Sequence, residues 1–282
     1  MQTVSSQDPQ RRTGLLWRPL TAGLAALVPL IPIAIALLIS SGGASAGTRS
    51  AATASPYKPL PAPAPAPATT ATPTATAPNL LLPPGSGSLV ALVQHPTMMR
   101  ASPGGRPYVR LPTRTEFGSP QALSVVRLSG AWLGVVSSLA GNGHVGWIRA
   151  ADATLSRVAW KLEVSLSRRQ LTVLLDGRVR ERYTVAIGAP AAPTPTGRFA
   201  VSDRLSTGDP TGPYGCCILA LSAKAPHAIS GWNGGDRIAI HSTPDTSSIG
   251  QPVSHGCLRL TLAEGRWLLD HIPLGTPTLI GR

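Results

Sequence analysis

The segment I-A-I-H-S-T-P-D-T-S-S-I-G-Q-P-V-S-H-G-C-L-R-L occupies residues 238–260. The alternating run Arg237-Ile238-Ala239-Ile240 predicts a strand that delivers His241 at its end. Sixteen positions beyond His241, a Ser254-His255-Gly256-Cys257 turn delivers a cysteine. The connection between them is long enough to turn the chain, so two neighbouring strands can present an imidazole and a thiol to each other. A thiol is a poor nucleophile until a base takes its proton, and an adjacent imidazole is the commonest such base. The segment therefore predicts Cys257 as nucleophile. His241 is predicted to take the thiol proton and return it to a departing amine.

The residues around this pair admit paired readings. Gly256 permits close backbone approach, and the N–H groups of Gly256 and Cys257 are candidates for an oxyanion hole. Arg259, two residues past Cys257 on extended backbone, shares its face; it either holds a substrate carboxylate or forms a surface ion pair. Ser254 either steadies a histidine or caps the turn. His255 is read as a structural residue of the turn ahead of a role in polarising the thiol or holding substrate. His241, His255 and Cys257 lack the paired spacing of a zinc site, so no metal is expected. Cys216 and Cys217 are adjacent, and on a strand their side chains point to opposite faces, which argues against a bridge between them.

The same residues resemble the catalytic domain of the L,D-transpeptidase (YkuD-type) family of bacterial cell-wall enzymes. The family's signature is a histidine followed, after roughly fifteen residues, by Ser/Thr-His-Gly-Cys-apolar-Arg/Asn. His241 and Ser254 through Arg259 match it position for position. Pro193-Thr194-Pro195-Thr196-Gly197-Arg198-Phe199 is similar to the family's Thr-Pro-x-Gly-x-Phe turn, and Asn233 through His241 resembles its approach to the histidine. Many members carry Gly where this chain has Ser242. The resemblance covers about residues 160–282. It implies that Cys257 attacks the carbonyl before the terminal D-amino acid of a peptidoglycan tetrapeptide stem and that the terminal residue leaves. An amine on a second stem then takes the acyl group. It also implies that a backbone carbonyl next to His241, at Ser242 or a neighbour, orients the imidazole, that carbapenems react at Cys257, and that no cofactor is used. Water in place of the amine would give an L,D-carboxypeptidase, and a degenerate domain would give a non-catalytic wall-binding protein. A papain-like peptidase is disfavoured because its cysteine precedes its histidine.

The rest of the 282 residues is organised around this module. In the stub 1–46, Arg11, Arg12 and Arg18 precede an uncharged run over residues 20–39, long enough to cross a bilayer as a helix with its N-terminus in the cytoplasm. Ala44-Ser45-Ala46 offers a signal-type cleavage site. Anchored or cleaved, everything beyond is expected outside the cytoplasm. Residues 47–85 are a Pro/Ala/Thr-rich linker, disordered and extended by its prolines. Residues 86–155 predict five short strands at Leu89–Gln94, Tyr108–Leu111, Ala122–Leu128, Trp132–Ser138 and Gly146–Ala150, a pattern suited to a small barrel. The hairpin at residues 141–148 resembles that of bacterial SH3-like barrels, which in that family bind peptidoglycan or act as spacers. Residues 160–282 predict a mainly β sandwich. Its hairpin is at Asp176-Gly177, and its one edge helix is opened by a Thr261/Glu264 capping box and closed before Pro273.

The formal net charge is +13, spread along the chain. That balance suits an anionic cell envelope, or a solvated arginine-rich surface. No basic block interleaved with aromatic residues supports nucleic-acid binding.

Overall fold

The computed structural model describes Lys58–Pro59 and residues 82–226 and 235–282. The apolar run over 20–39, the cleavage site at Ala46 and most of the linker lie outside the described residues. Among the described residues no helix is long and apolar enough to cross a membrane.

Lys58–Pro59 form a short strand, β1. Seven strands then follow between residues 88 and 158: β2 (Ser88–Val93), β3 (Thr97–Arg100), β4 (Pro107–Leu111), β5 (Ala122–Ser129), β6 (Trp132–Val135), β7 (Gly146–Arg149) and β8 (Ala153–Val158). They make one antiparallel sheet in the order β4-β3-β7-β6-β5-β2-β8. Five of them answer the predicted strands; β3 and β8 are additional. Alternation aims Ala91, Val93, Met99, Leu111, Leu123, Leu133, Val135 and Ile148 into a core of this module's own. Gly146 is required there, since a Cβ would stand within 2.7 Å of Met99 Cγ.

The second module runs through β9 (Trp160–Ser165), β10 (Gln170–Leu175), β11 (Arg178–Thr184), β12 (Ile187–Gly188), β13 (Gly197–Ser206), β14 (Cys217–Lys224), β15 (Arg237–Ser242), β16 (Pro252–Ser254) and β17 (Leu258–Leu260). Helix α1 (Leu262–His271) and β18 (Pro277–Gly281) complete it. The main sheet has the order β11-β10-β9-β18-β13-β14-β15-β17, with β1 beside β13. The ten-residue β13 is its pivot: its first half pairs with β18, its second half with β14 on one side and β1 on the other. The β10–β11 hairpin turns at Asp176 (φ 51°) and Gly177 (φ 75°), both in the left-handed region that a tight two-residue turn demands. Helix α1 opens at Thr261, whose hydroxyl accepts from the Glu264 N–H while the Glu264 carboxylate accepts from the Thr261 N–H. Its Leu268 and Leu269 pack into the core that Leu162, Phe199, Leu219, Ile240 and Leu258 share.

Polar contacts join the two modules. The Asn142 amide donates to Lys224 O (2.7 Å) and accepts from Lys224 N (2.9 Å), taking the place of a neighbouring strand at the end of β14. Arg237, at the start of β15, donates to Glu116 and Ser138 of the first module and to Ser202 and Leu221 O of the second. Thr115 donates to Asp203, a fully buried carboxylate whose pKa is pushed up by its burial.

Candidate active site

β15 and β17 lie side by side in parallel, with Ile240 abreast of Leu258, His241 of Arg259 and Ser242 of Leu260. Residues abreast in a parallel pair point to the same face, and so do residues two apart along a strand. His241, Arg259, Ala239 and Cys257 therefore share one face. β14 adds Ile218 to it, opposite His241. The half-buried Cys257 packs against Leu205, Ile218 and Ala239, and Tyr214 and Phe117 flank the same cluster.

His241 is 3% exposed. Its Nδ1 lies 2.8 Å from the Ser242 carbonyl oxygen. A carbonyl can only accept, so Nδ1 carries the hydrogen and Nε2 keeps its lone pair. Burial drives the imidazole pKa down from 6.5 to about 4; the Ser242 bond opposes this and the Arg259 charge adds to it. Burial raises the Cys257 thiol, against a backbone hydrogen bond from Ala239 and the charge of Arg259. Both shifts favour uncharged forms, so at neutral pH the pair rests as thiol and neutral imidazole. The Tyr214 ring meets the imidazole edge to face, centroids 4.9 Å apart.

Ser242 is wholly buried and wedged in place. Its Oγ accepts from Cys217 N (3.1 Å) and lies 3.3 Å from Tyr214 O. Gly215 and Gly265 pack directly on it, since a Cβ on either would lie 2.6 Å from a Ser242 side-chain atom. The carbonyl that orients His241 is held by that packing.

The nucleophile turn is clamped from two sides. Ser254 Oγ donates to Cys257 O (2.5 Å) and accepts from Gly256 N (3.1 Å), which makes Ser254 the cap of the turn. Gly256 N–H is thereby committed within the turn, leaving Cys257 N–H as the oxyanion candidate of the two. Thr194 Oγ1 donates to Gly256 O (2.8 Å) and accepts from Gly188 N (2.9 Å). Gly256 itself has φ +108°, where an L side chain is strained, and a Cβ there would meet Ile238 Cδ1 at 2.7 Å. Arg259 exchanges backbone hydrogen bonds with Ala186, while its buried Nε has no hydrogen-bond partner among the described residues. His255 is exposed at the outer side of the turn.

Cys216 and Cys217 correct the sequence reading: they are joined in a disulfide. The alternation that separates neighbouring side chains holds only on extended backbone. Cys216 lies in the turn that follows Gly215 (φ 54°), one residue before β14 begins. Cys257 remains a free cysteine. Tyr214 and Thr194 are the site residues that sequence reasoning passed over. Thr194 stood inside the quoted Pro-Thr-Pro-Thr-Gly motif, but nothing local marks its hydroxyl as bridging to residue 256. Among the described residues, no three His, Cys, Asp or Glu side chains are grouped to hold a metal ion.

A family model described as the L,D-transpeptidase catalytic domain, YkuD, matches residues 159–280. The putative L,D-transpeptidase YkuD of Bacillus subtilis is 32% identical over 125 residues, which are 44% of this chain and 68% of that protein. L,D-transpeptidase 1 of Mycobacterium tuberculosis is 30% identical over 124 residues, 40% of this chain and 47% of that protein. The chain thus spans about two thirds of the Bacillus relative and about half of the mycobacterial one. Among solved structures, an L,D-transpeptidase from Mycobacterium smegmatis overlays with a TM-score of 0.36 at 19% identity, over 57% of this chain and 90% of that one.

Proposed function

The chain belongs to the YkuD family of L,D-transpeptidases, and from that premise we propose that it cross-links peptidoglycan stem peptides through an acyl-enzyme on Cys257. The observation that carries the reading is the commitment of His241 Nδ1–H to the Ser242 carbonyl, which frees Nε2 as the base on the face that holds Cys257.

The chemistry follows from a neutral resting pair. A stem enters with the carbonyl of its penultimate residue over the sulfur. As the S–C bond forms, the thiol proton passes to Nε2, and Cys257 N–H receives the developing oxyanion. The tetrahedral centre collapses, the C–N bond breaks, and the imidazolium returns the proton to the departing amine of the terminal D-amino acid. An amine of a second stem then attacks the thioester carbonyl and gives a proton to Nε2; the C–S bond breaks, the new amide leaves, and the imidazolium returns that proton to the sulfur, restoring the thiol. Arg259, whose buried Nε has no hydrogen-bond partner among the described residues, is assigned to a substrate carboxylate. The apolar run over 20–39 and the linker after it support a placement in the cell envelope, anchored there or released after residue 46.

The test is intact mass of the full chain after incubation with a carbapenem. A single adduct on wild type, absent from Cys257→Ala and slowed in His241→Ala, is expected. Disaccharide-tetrapeptide substrates should then give cross-linked dimer in preference to tripeptide. Folded, reduced protein that takes up no adduct would overturn the reading.

A further inference from the structure

We propose that the cleft between the two modules is a second binding site, shaped for a short peptide that ends in a free carboxylate. The cleft encloses about 370 Å³, within the range that holds small ligands. One wall comes from β4, the loop that precedes β5 and the segment after β6; the other comes from β13, β14 and β15. None of its lining is His241, Cys257 or Arg259.

Two side chains in it have unused bonding capacity. Gln121 lines the cleft, and its side-chain amide makes no hydrogen bond with the described residues and stays accessible to the cleft. Its one carbonyl and two N–H donors complement a peptide group. Arg110, on β4, lines the same cleft, and its exposed guanidinium makes neither a hydrogen bond nor an ion pair with the described residues. Arg114 also lines the cleft, with one nitrogen donating to Gly118 O at 2.7 Å. The single acid among the described lining residues, Glu116, is committed to Arg237. The uncommitted charge in the cleft is therefore positive, and a guanidinium recognises a carboxylate through paired hydrogen bonds. Ala122, Leu123 and Val136 supply an apolar floor. A bare phosphate would meet the arginines but leave Gln121 and that floor unused, whereas a peptide carboxylate engages all three.

This site does not rest on the thiol chemistry proposed above, and its test keeps the two apart. Full chain with Cys257 capped by iodoacetamide is titrated calorimetrically with Nα,Nε-diacetyl-L-lysyl-D-alanine, with its C-terminal amide, and with inorganic phosphate. The acid should bind saturably, and the amide should bind about tenfold more weakly, the worth of one charge-assisted contact. Arg110→Ala, an exposed change that leaves the fold intact, and Gln121→Leu should each weaken the acid by a similar factor. Carbapenem acylation of the uncapped variants should be unchanged. Absence of saturable binding, equal binding of acid and amide, phosphate binding as tight as the peptide, or indifference to both substitutions would overturn the proposal. Peptide binding that persists in a protein inert to carbapenems would sink the transpeptidase reading and leave this one standing.

Discussion

Replacing Thr194 by valine isolates the clamp on the nucleophile turn. Valine nearly matches threonine in shape, so the change removes a hydroxyl without opening a cavity. Thr194 is 5% exposed, and its Oγ1 both accepts from Gly188 N at 2.9 Å and donates to Gly256 O at 2.8 Å. The substitution orphans two buried backbone groups at once. Each such group costs roughly 1–3 kcal/mol. With partial relaxation the sum is about 2–4 kcal/mol, or a fall in Tm of roughly 5–15 °C for a unit of this size. Gly256 immediately precedes Cys257, so a released carbonyl also lets the sulfur drift. Misplacement by about 1 Å at a reacting centre removes on the order of 100-fold in rate, and carbapenem acylation should slow by about 10- to 100-fold. Thr194→Ser retains the hydroxyl and should recover most of both losses. Thermal unfolding followed by circular dichroism, with stopped-flow acylation on the same preparations, checks the two numbers. A valine variant that melts with wild type and acylates at its rate would show that the Thr194 bridge does not hold the turn.

Three further outcomes follow from the same geometry. His241 titrates near 4 when folded and near 6.5 when unfolded, so the unfolded chain binds the extra proton. Stability should be fully present above about pH 6.5 and fall by about 3 kcal/mol as pH drops through 4. Denaturant midpoints across that window should flatten in His241→Gln relative to wild type. Gly265→Ala lies inside α1, where the exchange ordinarily stabilises by about 1 kcal/mol. Here the new Cβ would meet Ser242 Cβ at 2.6 Å, so calorimetry should show a lowered Tm, and acylation should slow as the Ser242 carbonyl shifts. Arg237→Ala removes a partner from each of Glu116, Ser138, Ser202 and Leu221 O and removes the cation 3.9 Å from Asp203. A loss of roughly 2–4 kcal/mol is expected in urea unfolding.

What the sequence disclosed, and what it withheld, divides along the range of the interactions involved. The Asp176-Gly177 hairpin and the Thr261/Glu264 cap are settled within four residues, and both stand where the local pattern puts them. The spacing from His241 to Cys257 and the alternation on either side were enough to bring their strands together. β13 has no clear local signature, because its second half reads Ser202-Asp203-Arg204, polar residues at the centre of a sheet. They are tolerable there because Thr115 donates to Asp203, and Arg204 donates to Leu269 O from a buried position. Those partners are 88 and 65 residues away in sequence, and no window on the chain contains them. The vicinal disulfide was missed for a different reason. Alternation was applied to Cys216, which belongs to a turn rather than to the strand that starts one residue later.

The neutral resting state of the pair follows from where the sheet puts it. A thiolate and imidazolium on this face would need solvent or compensating dipoles, and the neighbours of Cys257 are Leu205, Ile218 and Ala239. The nearby cation, Arg259, stabilises a thiolate but equally opposes an imidazolium, so it cannot favour both charges of the pair at once. Charge separation therefore becomes favourable only when an acyl carbonyl is in place to accept the sulfur's electrons as the proton leaves. On this account a soft alkylating agent, which offers no oxyanion for Cys257 N–H to receive, should discriminate poorly between Cys257 and an ordinary buried thiol. A carbapenem should react far faster. Measuring both rates on one preparation at neutral pH separates a pre-formed ion pair from a pair activated by its substrate. Rapid alkylation matching rapid acylation would mean that the thiolate is already there.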